Sequence, residues 1–353
     1  MCKNSLKIWR INKLFILLSN NKTYTTMYQQ TVKSRVVGID ISKLTTTYAI
    51  VDIRGNIIAK EELCTSDYPD INDYVTALSE KLVLFMIENG GIESIRSVGI
   101  SAPSGNFRTG CIENSPNMPW KGVIPLAAML RDRLGLAVAV ANDGHVIALG
   151  EQQFGSAHGM HDFAIVTLGH GLGCSVFSKK IPHLGANGFA GELGHTCLID
   201  GGRPCGCGLK GCLETYAAAK GIVMTAEELM ETNPDTPSLM RGCERLTPKL
   251  ITEFCEQGDE LAIETYKRTG YWLGIGLANL AAVIDPEAII MAGGVSKAGK
   301  WLMDPLEASF AEHLFHNQRD KIKLIVSTIA DRDRDVLGAS ALAWEVKEYS
   351  LFK

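Results

Sequence analysis

Residues 36–52, V-V-G-I-D-I-S-K-L-T-T-T-Y-A-I-V-D, decide the fold. Two apolar, β-branched runs, VVGIDI and TTYAIVD, flank a short turn at Ser42, Lys43 and Leu44, a pattern that predicts a β-hairpin. Asp40 places an acid at the end of the first strand, and the turn Arg54-Gly55-Asn56 leads into a third strand, IIAKEEL. Residues 163–177, FAIVTLGHGLGCSVF, repeat the plan as strand, glycine turn and strand. A chain of 353 residues is long for one core, so one such hairpin in each half predicts two duplicated domains.

The turn Gly169-His170-Gly171-Leu172-Gly173 has the look of a dinucleotide fingerprint, but that motif opens a helix and Cys174 to Phe177 read as strand. No G-x-x-x-x-G-K-[ST] occurs, which excludes an ordinary P-loop. Between the hairpins, residues 74–89 form an amphipathic helix with Val75, Leu78, Leu82 and Phe85 on one face. Residues 136–141, LAVAVA, read as a buried strand that stops at Asn142-Asp143 and is followed by a helix over 144–154. Polar residues at the carboxyl end of a buried strand occupy the place where α/β folds hold ligands, although Asp143 could also cap the next helix. Further helices are predicted over 217–231, 259–283 and 338–347, with strands at 289–291, running into Gly293-Gly294, and at 323–327.

A second informative stretch is GELGHTCLIDGGRPCGCGLKGCLE, residues 191–214. His195, Cys205, Cys207 and Cys212 supply one imidazole and three thiols, the donor set of a closed tetrahedral zinc site. The glycines and Pro204 between them let a short segment fold back on one ion. A disulfide with a spare thiol, or three small buried side chains, are the competing readings. Glu192 and Glu214 bracket the loop, and rigidly held carboxylates suit sugar hydroxyls because each accepts several O–H hydrogen bonds.

The composition is that of a soluble globular protein: 46% hydrophobic, 21% charged and net −4, with no electrostatic reason to hold nucleic acid. Of ten cysteines, those outside the loop lack a framework spacing, as expected of reduced cytoplasmic thiols. Residues 1–34 are basic and unlike the rest, and read as a disordered or over-long N-terminal extension, with Met27 an alternative start. The apolar run at residues 14–18 is far short of the roughly 20 residues that a membrane span requires.

The E-x-G-H and C-x-C-G-x-x-G-C-x-E patterns at Glu192–His195 and Cys205–Glu214 resemble the signature of the ROK family of sugar kinases and repressors. The resemblance runs from about residue 36 to the end and implies an α/β, actin-like ATPase fold (hexokinase-type, ribonuclease H-like) with two domains around a cleft. It divides the chain into an N-terminal domain over 35–143, joined by a C-terminal helix within 335–353, and a C-terminal domain over 144–334. It implies zinc on His195, Cys205, Cys207 and Cys212, and a hexose held by Asn117, Asn142, Glu192, His195 and Glu214, with Asp143 as catalytic base. ATP with Mg²⁺ would lie against Asp40, Lys43, Thr167, Gly169, Gly171, Gly293 and Gly294. Glucose is the first candidate for the hexose, and a homodimer in the cytoplasm is the implied setting. The chain departs from the family where kinases carry D-x-G-G-T-[KN]: here Asp40-Ile41-Ser42-Lys43-Leu44-Thr45 has lost both glycines, and His170 replaces the usual threonine. Phosphates lie against bare backbone N–H groups only where side chains do not intervene, so this departure bears on ATP more than on sugar. A non-catalytic sugar-binding protein is the alternative it leaves open.

Overall fold

The computed structural model describes residues 33–115, 118–186 and 189–346; the N-terminal extension lies almost wholly outside them. Strand β1 (Arg35–Ile41) pairs antiparallel with β2 (Thr45–Asp52), with Asp40 opposite Thr47, and β2 pairs with β3 (Ile57–Cys64). Helix α1 (Ile71–Glu88) starts at Asp70, whose carboxylate accepts from the N–H groups of Asn72 and Asp73 at 2.8 and 3.2 Å. Then β4 (Ile95–Ser101) joins β1 in parallel. The short strands β5 (Gly105–Asn106), β6 (Cys111–Glu113) and β7 (Val123–Ile124) make a small separate sheet. After α2 (Leu126–Leu134), strand β8 (Ala137–Ala141) completes a five-stranded sheet in the order β3-β2-β1-β4-β8.

Helix α3 (Asp143–Phe154) leads into the second half. Strands β9 (Phe163–Leu168), β10 (Leu172–Ser178) and β11 (Ile181–Pro182) form the antiparallel part of a second sheet. The zinc-loop segment runs into a short α4 (Glu214–Ala217), followed by α5 (Ala219–Thr232), α6 (Pro248–Glu256) and the long α7 (Glu260–Ile284). Strand β12 (Ala288–Ala292), helix α8 (Lys300–His313), strand β13 (Lys323–Val326) and helix α9 (Asp331–Glu345) close the described chain. The second sheet has the order β11-β10-β9-β12-β13, with β9 parallel to β12 and β12 to β13, so both halves carry the same strand order and directions. The duplication expected from the two hairpins is therefore present.

Central strands in both sheets are buried along nearly their whole length, because helices cover them. In the first half, Val75, Leu78, Leu82 and Phe85 of α1 pack in one core with Val37, Ile39 and Ile50. In the second, Leu273, Leu277 and Ala281 of α7 pack with Val166, Ile289 and Met291.

Helix α9, last in sequence, lies on the first sheet rather than the second. A Cβ added to Gly38 of β1 or Gly99 of β4 would run into the α9 backbone at Val336 or Ala339, so glycine lets helix and strands touch. α9 also meets α3, where a Cβ on Gly150 would lie 3.0 Å from the Cα of Gly338. This helix begins at Asp331, earlier than the sequence pattern places it. Asp331 and Asp333 occupy its first turn, where carboxylates favour the helix N-terminus, and Asp331 accepts from Arg334 at 2.8 Å. Among the described residues no helix is long and apolar enough to cross a membrane.

Candidate functional site

The β9–β10 hairpin turn and the carboxyl ends of β8, β9 and β12 border one cleft of about 840 Å³, whose lining includes neither Asp40 nor the β1–β2 turn. From the first half it takes Ser104, Gly105, Asn142 and Asp143; from the second, the β9–β10 turn, Glu192, Glu214 and the Gly293-Gly294 turn after β12. Asn142, Asp143, Thr167, Gly169, Gly171, Glu192, Glu214, Gly293 and Gly294, read separately from the sequence, are thus brought together. Asn117 lies outside the described residues. Lys43 is exposed on the β1–β2 turn and is not among the residues that line the cleft.

Asp143 reaches the cleft because β8 ends at Ala141 and α3 begins at once. The cap is Asn142, whose side-chain oxygen accepts from the N–H of Gly144 at 2.9 Å, while Asp143 stands exposed at the first helical position. Its carboxylate also accepts from Gly144 N–H at 2.9 Å, which fixes it without burying it.

Asp40 is in a different condition. Burial at the end of β1, followed by the negative charges of Asp335 and Asp143, pushes its pKa up to about 7 against a countering pull from Arg334. Burial also raises Asp335, with Arg334 opposing and Asp143 adding to the rise. Asp40, Asp143, Asp335 and Arg334 therefore form one electrostatic group across the carboxyl ends of β1 and β8 and the first turn of α9.

In the loop after β11, donor atoms of His195, Cys205, Cys207 and Cys212 all lie within 4.8 Å of one another. His195 Nδ1 is 3.6 Å from Cys205 Sγ, and Cys207 Sγ is 3.7 Å from Cys212 Sγ. A tetrahedral zinc with bonds of about 2.3 Å to sulfur and about 2.0–2.1 Å to nitrogen separates its ligands by roughly 3.5–3.8 Å, which these two separations match. The 3.7 Å sulfur separation is far from a disulfide of about 2.05 Å. His195 turns its other nitrogen, Nε2, towards Glu192 at 3.9 Å, so one ring faces the thiols and the cleft carboxylate at once.

Glu214 has an equally divided position. One carboxylate oxygen accepts from the Leu172 N–H of the β9–β10 turn at 3.1 Å, and the other lies 3.5 Å from Cys205 Sγ. A direct tie between the metal loop and a cleft turn was not expected from the sequence.

Several site residues carry no motif and escape sequence reading. Arg203, inside the metal loop, is buried between the rings of Tyr216 and Trp272, at 4.6 and 5.5 Å. It donates to Glu228, Thr225 and the carbonyls of Thr215 and Gly221, clamping the loop to α5. His145 stacks on Phe107 at 5.9 Å and tilts over Phe177 at 6.4 Å, and burial pushes its pKa down to about 4, leaving a neutral imidazole. The one signal for Arg334 and Asp335 was the charge run D-R-D-R-D at residues 331–335, heading an otherwise apolar helix.

Known proteins resemble this chain in sequence and fold. The model of the ROK family covers residues 36–346. The glucokinase of Halalkalibacterium halodurans is 31% identical over 317 residues, 88% of this chain and 94% of that protein. A solved ROK family glucokinase from Streptomyces griseus, in complex with glucose and AMPPNP, superposes with a TM-score of 0.70 at 30% identity, over 88% of this chain and 100% of that one. The xylose repressor of Caldicellulosiruptor bescii is 28% identical over 252 residues, 71% of this chain and 63% of that protein. The fold is that of the actin-like ATPases, two α/β domains around a cleft.

Proposed function

This chain belongs to the ROK family, and from that premise we propose that it is an ATP-dependent hexose kinase, with glucose as the first candidate substrate. One observation carries the reading: an exposed carboxylate, Asp143, shares a single cleft with the carboxylates Glu192 and Glu214 and with the glycine turns at 169–171 and 293–294. Glu192, His195 through Nε2, Glu214, Asn142 and Asn117 hold the sugar hydroxyls. Asp143 accepts the proton of the attacking hydroxyl as its oxygen bonds to the γ-phosphorus and the bond to ADP breaks. Gly169, Gly171, Thr167 and the Gly293-Gly294 turn take the nucleotide, where backbone N–H groups meet phosphate and adenosine at close range. Asp40 would hold Mg²⁺ through water, and the ion would supply positive charge against the phosphates. His195, Cys205, Cys207 and Cys212 would hold a structural zinc, whose role would be to fix the loop that carries Glu192 and Glu214.

The domains we propose are 35–143 with the returning helix within 335–353, and 144–334; their closure excludes water from the phosphoryl group. A homodimer in the cytoplasm is the proposed setting. A second reading, a sugar-binding regulator without transfer activity, is favoured by the β1–β2 turn, which has lost both glycines, and by the likeness to a xylose repressor. A panel of hexoses with ATP and Mg²⁺, followed by ADP release, separates the two. Sugar-dependent ADP release supports the kinase, and sugar binding by calorimetry without any turnover supports the regulator.

A further inference from the structure

Among the cleft residues, Arg334 is left over from the roles above. It stands in the first turn of α9 and lines the same cleft as Asn142, Asp143, Gly169 and Gly293. Of the five N–H groups of a guanidinium, one is committed: Nη1 donates to Asp331 at 2.8 Å. Nε is buried without a hydrogen-bond partner and lies 3.6 Å from an Asp335 oxygen, an ion-pair separation only. Asp331 does not depend on this arginine for its charge balance, because Lys297 also pairs with it. A guanidinium held mainly to serve a helix turn has no need to border the cleft, and a buried donor left unpaired costs about 1–3 kcal/mol unless something else satisfies it.

The surroundings point to what satisfies it. Asp143 lines this end of the cleft, with Asp40 and Asp335 buried close by and raised in pKa by that burial, and the exposed Asp143 carboxylate repels a polyphosphate unless cations intervene. The β1–β2 turn gives little help: its Ser42 N–H and hydroxyl both donate to the Thr45 carbonyl, at 2.9 and 2.8 Å, and the Thr45 N–H donates back to the Ser42 hydroxyl at 3.1 Å. Two of its amides are thereby spent on the turn itself. A planar fork of N–H groups beside the acids supplies the positive charge and the bidentate geometry that bare glycine amides would otherwise provide.

We propose that Arg334 is a further catalytic residue, a guanidinium that binds the terminal phosphates of the nucleotide and stabilises the charge on the transferring phosphoryl group. The inference rests on the kinase reading and gives it a particular device: phosphate recognition by a side chain brought from α9, in place of the backbone of the first turn.

The test compares wild type with Arg334→Met, similar in length and uncharged, and Arg334→Lys, a point charge without the fork. Calorimetry with AMPPNP–Mg²⁺, adenosine and glucose is combined with steady-state kinetics. The expected result for Arg334→Met is AMPPNP affinity lower by roughly 10-fold and kcat lower by roughly 100-fold, the scale of a lost transition-state donor. Adenosine and glucose affinities should stay within about twofold, a split that a merely structural arginine would not produce. Arg334→Lys should recover AMPPNP binding more than kcat, and added guanidinium should restore part of the rate of Arg334→Met. Should Arg334→Met not fold, the lysine variant still decides, through its kcat against its AMPPNP affinity. Wild-type turnover with AMPPNP affinity and kcat unchanged in both variants would overturn the role of Arg334 and leave the kinase reading standing. Failure of the wild type to bind AMPPNP at all would sink both.

Discussion

The two halves share one strand order, yet their hairpin turns are built differently. The β1–β2 turn is closed by its own side chain: Ser42 bonds Thr45 through both its backbone and its hydroxyl, and one outside contact, Thr65 N–H to the Leu44 carbonyl at 2.8 Å, is added. The β9–β10 turn has one internal bond, Gly169 N–H to the Gly171 carbonyl at 3.0 Å, uses no side chain of its own, and is otherwise held by its neighbours. Its Leu172 N–H goes to Glu214, and its Gly169 carbonyl accepts from Ala219 N–H at 2.9 Å, at the start of α5. A turn that uses its own side chains is stable alone but has less backbone to offer a ligand. A glycine turn braced by neighbours keeps its backbone accessible and becomes dependent on those neighbours.

The largest expected effect tests whether chemistry is assembled between these turns at all. Asp143→Asn keeps size and hydrogen bonding but removes the base, so turnover should fall by about 10²–10⁴-fold with glucose affinity retained. Near wild-type turnover would move the base to another acid and dissolve the cleft as described.

Next comes the dependence of the second turn on the metal loop. Elemental analysis should find about one zinc per chain, and Cys205→Ser, or removal of the metal by a chelator, should weaken glucose binding by roughly 10- to 100-fold. Because Glu214 touches both Cys205 and Leu172, AMPPNP affinity should weaken as well. Unchanged nucleotide binding in that variant would mean the brace carries no load.

The reciprocal experiment opens the first turn. Ser42→Gly/Lys43→Gly frees its backbone, and AMPPNP affinity should rise by up to about tenfold while glucose affinity hardly moves. Tight AMPPNP binding by the wild type, unimproved by the glycines, would show that the closed turn costs nothing.

The smallest effect concerns His145, which stacks on Phe107 and faces Phe177 of β10 from the head of α3. Its folded pKa of about 4 lies below the unfolded value of about 6.5, so above pH 7 it contributes no pH dependence. As pH falls below 6.5 the unfolded chain takes up a proton that the folded one refuses. The contribution of His145 should fall by about 0.8 kcal/mol between pH 7.5 and pH 6, and further towards pH 4. Both proteins keep the opposite slope that Asp40, raised to about 7, contributes, so urea melts should show the His145 loss as wild type falling relative to His145→Asn across this range. Equal slopes would place the titrating group elsewhere.

How much was legible in the sequence follows from distance along the chain. The hairpins and the metal donors are local: alternation fixes strands within a few residues, and His195 to Cys212 lie in one loop. Asp143 was legible because a buried strand ends beside it. The acidic group was not, since Asp40 and Asp335 come from opposite ends of the chain and meet only because Gly38 and Gly99 let α9 lie on the first sheet. Arg203 was hidden for a similar reason: its partners Glu228 and Trp272 belong to helices that no spacing rule links to the loop. The start of α9 was misplaced because a run of alternating charges reads as solvated surface, whereas here its Arg334 lines the cleft.

The hydrogen bond from Leu172 to Glu214 has a thermodynamic corollary. In the kinase we propose, Glu214 would take sugar hydroxyls while it holds the β9–β10 turn, which makes the two ligands each other's effectors, and such an effect is symmetric by necessity. If occupying the sugar site tightens AMPPNP binding tenfold, AMPPNP must tighten sugar binding tenfold, a free energy of about 1.4 kcal/mol shared by both. An enzyme wired in this way commits to ATP mainly when a hexose is already seated, which limits wasteful hydrolysis through equilibrium binding before any domain has moved.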